Sequence, residues 1–197
     1  MGRLTRIIGV VALVAALAGC SSNDDLAQQY AEGSNKGYIA GNGTILEIPE
    51  AERGASVTFS GTDENGATVS SSDFLGKVLV VNFWYAGCAP CRAEAPMLNT
   101  INAAFDPNTA AMLGINVRDQ AATVTSFNEK FGVSYPSIID AETGGVQLAF
   151  SGTVPANAVP TTIVLDQQGR VAARILGRIA DQSILTTIVA DLVAANG

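Results

Sequence analysis

Cys88 and Cys91 are the residues of this 197-residue chain whose type and spacing could do chemistry. They lie in Trp84-Tyr85-Ala86-Gly87-Cys88-Ala89-Pro90-Cys91, between an apolar run and a segment of helical spacing. Two thiols so placed at a helix start can close a small disulfide ring. The helix N-terminus offers free N–H groups and partial positive charge, and both stabilise a thiolate on Cys88. The expected chemistry is dithiol–disulfide exchange. Cys88 forms a mixed disulfide with a partner, and Cys91, deeper in the first turn, attacks Cys88 to release it. Pro90 lacks an N–H, which costs nothing in a first turn, and it stiffens the ring.

Other uses of the pair have less support. A structural zinc site usually takes four ligands, and the chain has no histidine to add to these cysteines. A copper chaperone would want a histidine or methionine partner, and none is evident. A thiol peroxidase wants Thr or Ser three residues before the reactive cysteine, and Tyr85 stands there. An inert structural disulfide, as in a binding lipoprotein, stays open as the alternative. The lack of histidine also excludes Ser-His-Asp triads and imidazole acid–base catalysis. The reading calls for no cofactor and no metal.

The remaining cysteine, Cys20, belongs to the N-terminus. Met1 to Arg6 is basic, and Ile7 to Ala18 is an apolar run of signal-peptide length, too short to span a bilayer comfortably. Leu17-Ala18-Gly19-Cys20 resembles the bacterial lipobox, in which the cysteine is lipidated and becomes the mature N-terminus. The alternative is an ordinary signal peptide cleaved near Ala18. The expected organisation is a lipoprotein signal peptide over 1–19, a flexible tether over 20–43 with Cys20 lipidated, and a folded domain over 44–197. Hydrophobic residues make up 48% and charged residues 15%, enough apolar matter for a buried core. The formal charge of −7 becomes more negative once Arg3 and Arg6 leave with the leader. Such a chain is a poor binder of nucleic acid.

The elements that must position the cysteines can be read from periodicity. Val57–Ser60 and Ala67–Ser70 flank a turn-rich stretch and predict a β-hairpin. Val78 to Trp84 is a nearly continuous apolar run, as in a strand buried on both faces. Met97, Leu98, Ile101 and Phe105 have helical spacing, with Pro96 predicting a kink. Met112 to Val117 predicts a second buried strand, and Val124, Phe127 and Phe131 a second helix. A strand and a short helix near Gln147 to Phe150 are expected within 135–158. Thr161–Asp166 and Val171–Leu176 predict a second hairpin. Asp181 caps a last helix with the stripe Ile184, Leu185, Ile188, Val189, Leu192 and Val193. This order implies an α/β fold with a mixed central sheet, helices on both faces and an N-terminal β-hairpin extension.

From about Ser56 to Ala195 the chain resembles thioredoxin-fold proteins of the TlpA/ResA-like group. The resemblance is carried by Phe83-Trp84, Cys88-Ala89-Pro90-Cys91, Arg92-Ala93-Glu94-Ala95-Pro96 and Val159-Pro160-Thr161. It implies an extracytoplasmic, membrane-anchored thiol–disulfide oxidoreductase acting on protein thiols or disulfides. Within the group a reductant recycled by a membrane redox partner is usual, in some cases for cytochrome c maturation. A disulfide-forming oxidant is the alternative. The resemblance also implies that Pro160 is cis and faces the Cys pair, leaving the backbone of Val159 to receive an extended substrate beside Trp84. Glu94 matches an acidic residue near the active site, where a raised pKa would let it relay a proton to or from Cys91. Alternatively it is a solvated glutamate favouring the helix start. Asn82 stands where thioredoxins proper carry a buried acid, and Gly87 where the group usually has Trp.

Overall fold

Val78–Trp84 is buried along its whole length and forms the middle strand around which the other elements are arranged. In the computed structural model, residues 45–153 and 158–195 are described. The expected signal peptide (1–19), Cys20 and the expected tether (20–43) lie outside the described residues. In chain order the strands are β1 (Ile45–Glu47), β2 (Ser60–Thr62), β3 (Thr68–Ser70), β4 (Val78–Trp84), β5 (Ala110–Asn116), β6 (Ser137–Ile139), β7 (Thr161–Leu165) and β8 (Val171–Leu176). The helices are α1 (Ala89–Ala104), α2 (Ala121–Phe131), α3 (Gly145–Ala149) and α4 (Gln182–Ala194). Six strands form one sheet in the order β1-β8-β7-β4-β5-β6. β4 pairs with β5, and β5 with β6, in parallel, while β7, β8 and β1 run antiparallel. This is the mixed α/β sheet expected from the sequence, with β1 as an additional edge strand too short to show a period.

The pleat of β4 sorts its side chains between two cores. Val78 and Val80 pack with Leu98 and Ile101 of α1 and with Ile184, Leu185 and Ile188 of α4. Leu79, Val81 and Phe83 face the other way, onto Val146 of α3, Phe150 and Phe59. Asn82 and Trp84 have the parity of Val78 and Val80. They are therefore carried to the side of the sheet where α1 lies, and that parity builds the site. α1 runs through Pro96 to Ala104 as one element. Asp181 accepts the Ser183 N–H at 2.8 Å and caps α4, as its position predicts.

The N-terminal hairpin differs in register from the sequence reading. Its first strand is Ser60–Thr62, pairing Ser60 with Ser70 and Thr62 with Thr68. Asp63 accounts for the shift. Its side chain accepts the N–H groups of Asn65 and Ala67, which closes the turn late and leaves Gly61 and Thr62 in the ladder. Phe59 is thereby freed to enter the core. The hairpin docks on β6: Glu64 accepts the Ser137 N–H at 2.8 Å and the Asn128 amide at 3.0 Å. Gly61 is required by this contact, since a Cβ there would run into the Ile138 side chain.

Gly61→Val should therefore overpack the hairpin against β6 and cost about 1–3 kcal/mol of unfolding free energy. Urea unfolding measures this. A variant as stable as the wild type would mean that the hairpin can lift off β6 freely.

Candidate active site

β4 ends at Trp84, and the turn Tyr85–Cys88 closes through the Cys88 N–H donating to the Tyr85 carbonyl at 3.1 Å. Cys88 then serves as the N-cap of α1, in an extended conformation, with Pro90 in the first turn. Its Sγ accepts the Cys91 N–H at 3.2 Å. A sulfur takes the place usually held by a Ser or Asp oxygen, so the free Cys91 N–H of the helix end points at it. Cys88 and Cys91 are joined in a disulfide with their Cα atoms 5.2 Å apart. Both are 3% exposed, so burial does not rank one above the other. The helix end does, because Cys88 alone caps it. Gly87, Ala89 and Pro90 are exposed and form the rim over the sulfurs.

Under the disulfide lies an aromatic platform. The Trp84 ring packs against Phe127 with centroids 4.3 Å apart and planes inclined at 42°, and Phe127 against Phe131 at 4.5 Å and 38°. The Trp84 indole donates to Ser137 Oγ at 3.2 Å. The sequence reading placed Trp84 at the substrate surface. At 4% exposure it lies instead beneath the cysteines, because the inward parity of β4 turns it towards α2. Val159 is half-buried and packs into the same cluster as Cys88, Cys91 and Trp84. The Val159–Pro160 peptide is cis, and the Pro160 carbonyl accepts the Gly177 N–H at 2.8 Å.

Glu94 is buried one turn beyond Cys91, at 1% exposure, which does not fit a solvated glutamate. Its Oε1 accepts the Asn82 amide at 3.1 Å and its Oε2 accepts the Ile179 N–H at 3.1 Å. Asn82 also donates to Thr162 Oγ1 at 3.1 Å, which fixes its orientation. Burial pushes the Glu94 carboxyl up from 4.5 to about 7, outweighing the Ile179 and Asn82 hydrogen bonds and the Arg178 charge, which pull it down. Tyr135 is buried nearby; burial, then the Glu94 charge, hold its phenol well above its ordinary pKa. A cavity of about 10 Å³, near the space of one water, lies among Cys91, Asn82, Trp84 and Tyr135. Among the described residues no group of three His, Cys, Asp or Glu side chains could hold a metal ion.

Several residues at the site were not singled out from the sequence. Asp119 accepts the Ala86 N–H at 2.6 Å, and the Arg92 guanidinium donates to the Ala86 carbonyl at 3.0 Å. Arg118 lies over the Tyr85 ring, 4.1 Å from its centroid. The Asn-x-x-Asp spacing of Asn116 and Asp119, just past a buried parallel strand, could have marked that loop as part of the site, since such strand ends line functional crevices. The Ile179 N–H and the position of Tyr135 have no sequence signal.

Sheet order, a disulfide at the helix start and a proline loop beside it together define a thioredoxin-fold dithiol–disulfide centre. Comparison with known proteins agrees. Residues 54–174 match the AhpC/TSA family. The thiol–disulfide oxidoreductase ResA of Geobacillus kaustophilus is 31% identical over 123 residues, covering 62% of this chain and 68% of that protein. A crystal structure of a DsbF homologue from Corynebacterium diphtheriae is 34% identical, with a TM-score of 0.68 over 79% of this chain and 97% of that one. A secreted thiol–disulfide isomerase from Corynebacterium glutamicum is also 34% identical, with a TM-score of 0.69 over 80% and 96%. The chain belongs to the AhpC/TSA family, as a thiol–disulfide oxidoreductase of thioredoxin fold.

The buried carboxyl has a thermodynamic consequence. Folded Glu94 keeps its proton up to about pH 7, and the ordinary value is 4.5. Its contribution to stability is therefore fully present below about pH 4.5 and is lost as pH rises through about 7. Glu94→Gln, which mimics the protonated acid, should remove this loss. Relative to wild type the oxidised variant gains stability with rising pH, by up to about 3 kcal/mol above pH 7. Urea unfolding of both disulfide forms at pH 5 and pH 8 tests it. A difference that does not change with pH would contradict a carboxyl titrating in this site.

Proposed function

We propose that the protein reduces disulfides of protein substrates outside the cytoplasmic membrane, with Cys88 as nucleophile and Cys91 as resolving thiol. The observation that carries the reading is Cys88 Sγ at the N-terminus of α1, with the Glu94 carboxyl buried one turn behind Cys91. The Cys88 thiolate attacks a substrate sulfur, forming a mixed disulfide and expelling the first substrate thiolate. Cys91 gives its proton to the Glu94 carboxylate, and its thiolate attacks Cys88 Sγ. The second substrate thiolate leaves and the Cys88–Cys91 disulfide forms. Two electrons pass to the substrate, and a dithiol on a membrane redox partner returns them. The raised pKa of Glu94 suits it to exchange a proton near neutral pH.

The substrate chain lies extended along Val159 and Pro160. In support, the Val159 N–H and C=O take no hydrogen bond among the described residues, and its side chain packs beside both cysteines. Trp84 supports the site from below rather than contacting substrate. The direction of electron flow follows the likeness to ResA proteins, and cytochrome c maturation is the process such a reductant would serve. The location follows the leader, with Cys20 lipidated and residues 20–43 tethering the domain. Similarity to a protein described as secreted is in keeping with it. Among the described residues no helix is long and apolar enough to cross a membrane.

Cys91→Ala should accumulate mixed disulfides in cells, seen as high-mass bands on non-reducing gels, and Cys88→Ala should not. Equal trapping by both variants would undo the assignment of roles. Equilibration of the Cys88–Cys91 pair with glutathione decides direction: a potential near or below about −250 mV fits a reductant, and one well above about −200 mV a disulfide-forming oxidant. Cys20→Ser should move the protein from the membrane fraction to the soluble one. Continued membrane association, with no lipid on wild-type Cys20, would reject the anchor.

A further inference from the structure

Reduction removes the disulfide that ties the Cys88 side chain to Cys91 of α1. The nucleophile must nevertheless stay over the helix N-terminus, where Cys91 N–H meets its sulfur. Backbone atoms of the preceding turn then carry that task, and one residue of the turn is held from both sides. The Ala86 N–H donates to Asp119 Oδ2 at 2.6 Å, and the Ala86 carbonyl accepts from Arg92 Nη1 at 3.0 Å.

Asp119 is itself anchored to the sheet. Asn116, fully buried at the end of β5, pairs with Trp84 in the β4–β5 ladder. Its Nδ2 donates to the same Oδ2 of Asp119 at 2.9 Å, and its Oδ1 accepts the N–H groups of Arg118 at 3.1 Å and Asp119 at 2.7 Å. A continuous path of short hydrogen bonds thus runs from the buried sheet through Asn116 and Asp119 to the turn that carries Cys88. Asp119 brings negative charge to the turn that carries Cys88, which works against a thiolate there. The side chains of Arg92, from α1, and Arg118, from the segment after β5, reach the same turn at the Ala86 carbonyl and the Tyr85 ring and bring positive charge to it.

We infer that Asp119, seated on Asn116 and opposed by Arg92, is a positioning residue that holds the Cys88 turn in the reduced enzyme. The inference rests on Cys88 being the nucleophile. Its work is done by hydrogen-bond acceptance and not by charge. It is felt mostly in the dithiol state, because the disulfide holds Cys88 in the oxidised one.

The test uses reduced full-length protein and the rate of iodoacetamide alkylation, read separately for the Cys88 and Cys91 peptides by mass spectrometry. Asp119→Ala should slow alkylation of Cys88 about three- to tenfold, the net worth of about one hydrogen bond. It should shift the glutathione equilibrium towards the disulfide by a similar factor. Asp119→Asn keeps an oxygen that can accept the Ala86 N–H, and it should recover most of both losses. Arg92→Met loosens the turn from the carbonyl side and should slow Cys88 in the same direction, which keeps the test available if Asp119→Ala folds poorly. A merely structural Asp119 would lower the unfolding midpoint and leave Cys88 reactivity at wild-type rate, and that result would overturn the inference. So would a faster Cys88 in Asp119→Ala, or an Asn variant no better than the Ala one, since either makes charge the dominant effect. If Cys91 is the faster thiol in the wild type, the assignment of the nucleophile fails instead, and the two failures are told apart by which peptide carries the label.

Discussion

A carboxyl group in the middle of an apolar layer must find hydrogen-bond donors there, and Glu94 sets where three elements of this domain meet. α1 brings the carboxyl, β4 brings the Asn82 amide, and the segment before α4 brings the Ile179 N–H. Thr162 of β7 holds the other amide hydrogen of Asn82, so the constraint reaches a fourth element. None of these partners can move far without leaving a buried polar group unpaired. The crossing of α1 over the sheet is thereby tied to the place of its first turn, and so to the two cysteines. The same burial that makes the arrangement demanding raises the carboxyl to about 7, where proton transfer with a thiol is practical.

Asn82 clarifies how this is achieved. A carboxylate on β4 at that position and a second one on α1 would face each other in a buried space and repel. The neutral amide avoids this and donates to the one acid present. The buried acid thus comes from the helix that bears the cysteines, one turn beyond Cys91. Whatever displaces α1 displaces acid and thiol together.

The front of the site obeys a different logic. Cys88 sits where a chain leaves the sheet and enters a helix, so its position depends on a turn of few residues. Apolar packing holds only part of this turn, since Tyr85 and Ala86 are half-buried against the Trp84 cluster and Gly87 is exposed. Two directed hydrogen bonds, from the Ala86 N–H to Asp119 and from Arg92 to the Ala86 carbonyl, hold the rest, and Trp84 packed on Phe127 gives the turn a firm floor. Tyr85, at the position where a peroxidase would carry a small hydroxyl, instead stacks its ring with Arg118.

The sequence alone determined what depends on local pattern and chemical type. The run from Val78 to Trp84 marks a strand buried on both faces, the stripe from Ile184 to Val193 an amphipathic helix, and Asp181 its cap. Cys88 and Cys91 could be recognised because the thiols, the helix start and their spacing are all written within a few residues. Tertiary structure decided the rest, because its causes are distant in the chain. Glu94 became a buried acid only through Asn82, Thr162 and Ile179, which lie 12 residues before it or far beyond it. Trp84 moved from the surface to the floor because pleat parity is absolute only once the sheet's two faces are assigned. The hairpin slipped in register because the Asp63 side chain, and not hydrophobic alternation, closes its turn. Asp119 joined the site because parallel pairing sets the end of β5 beside the end of β4, a neighbourhood that no local pattern records.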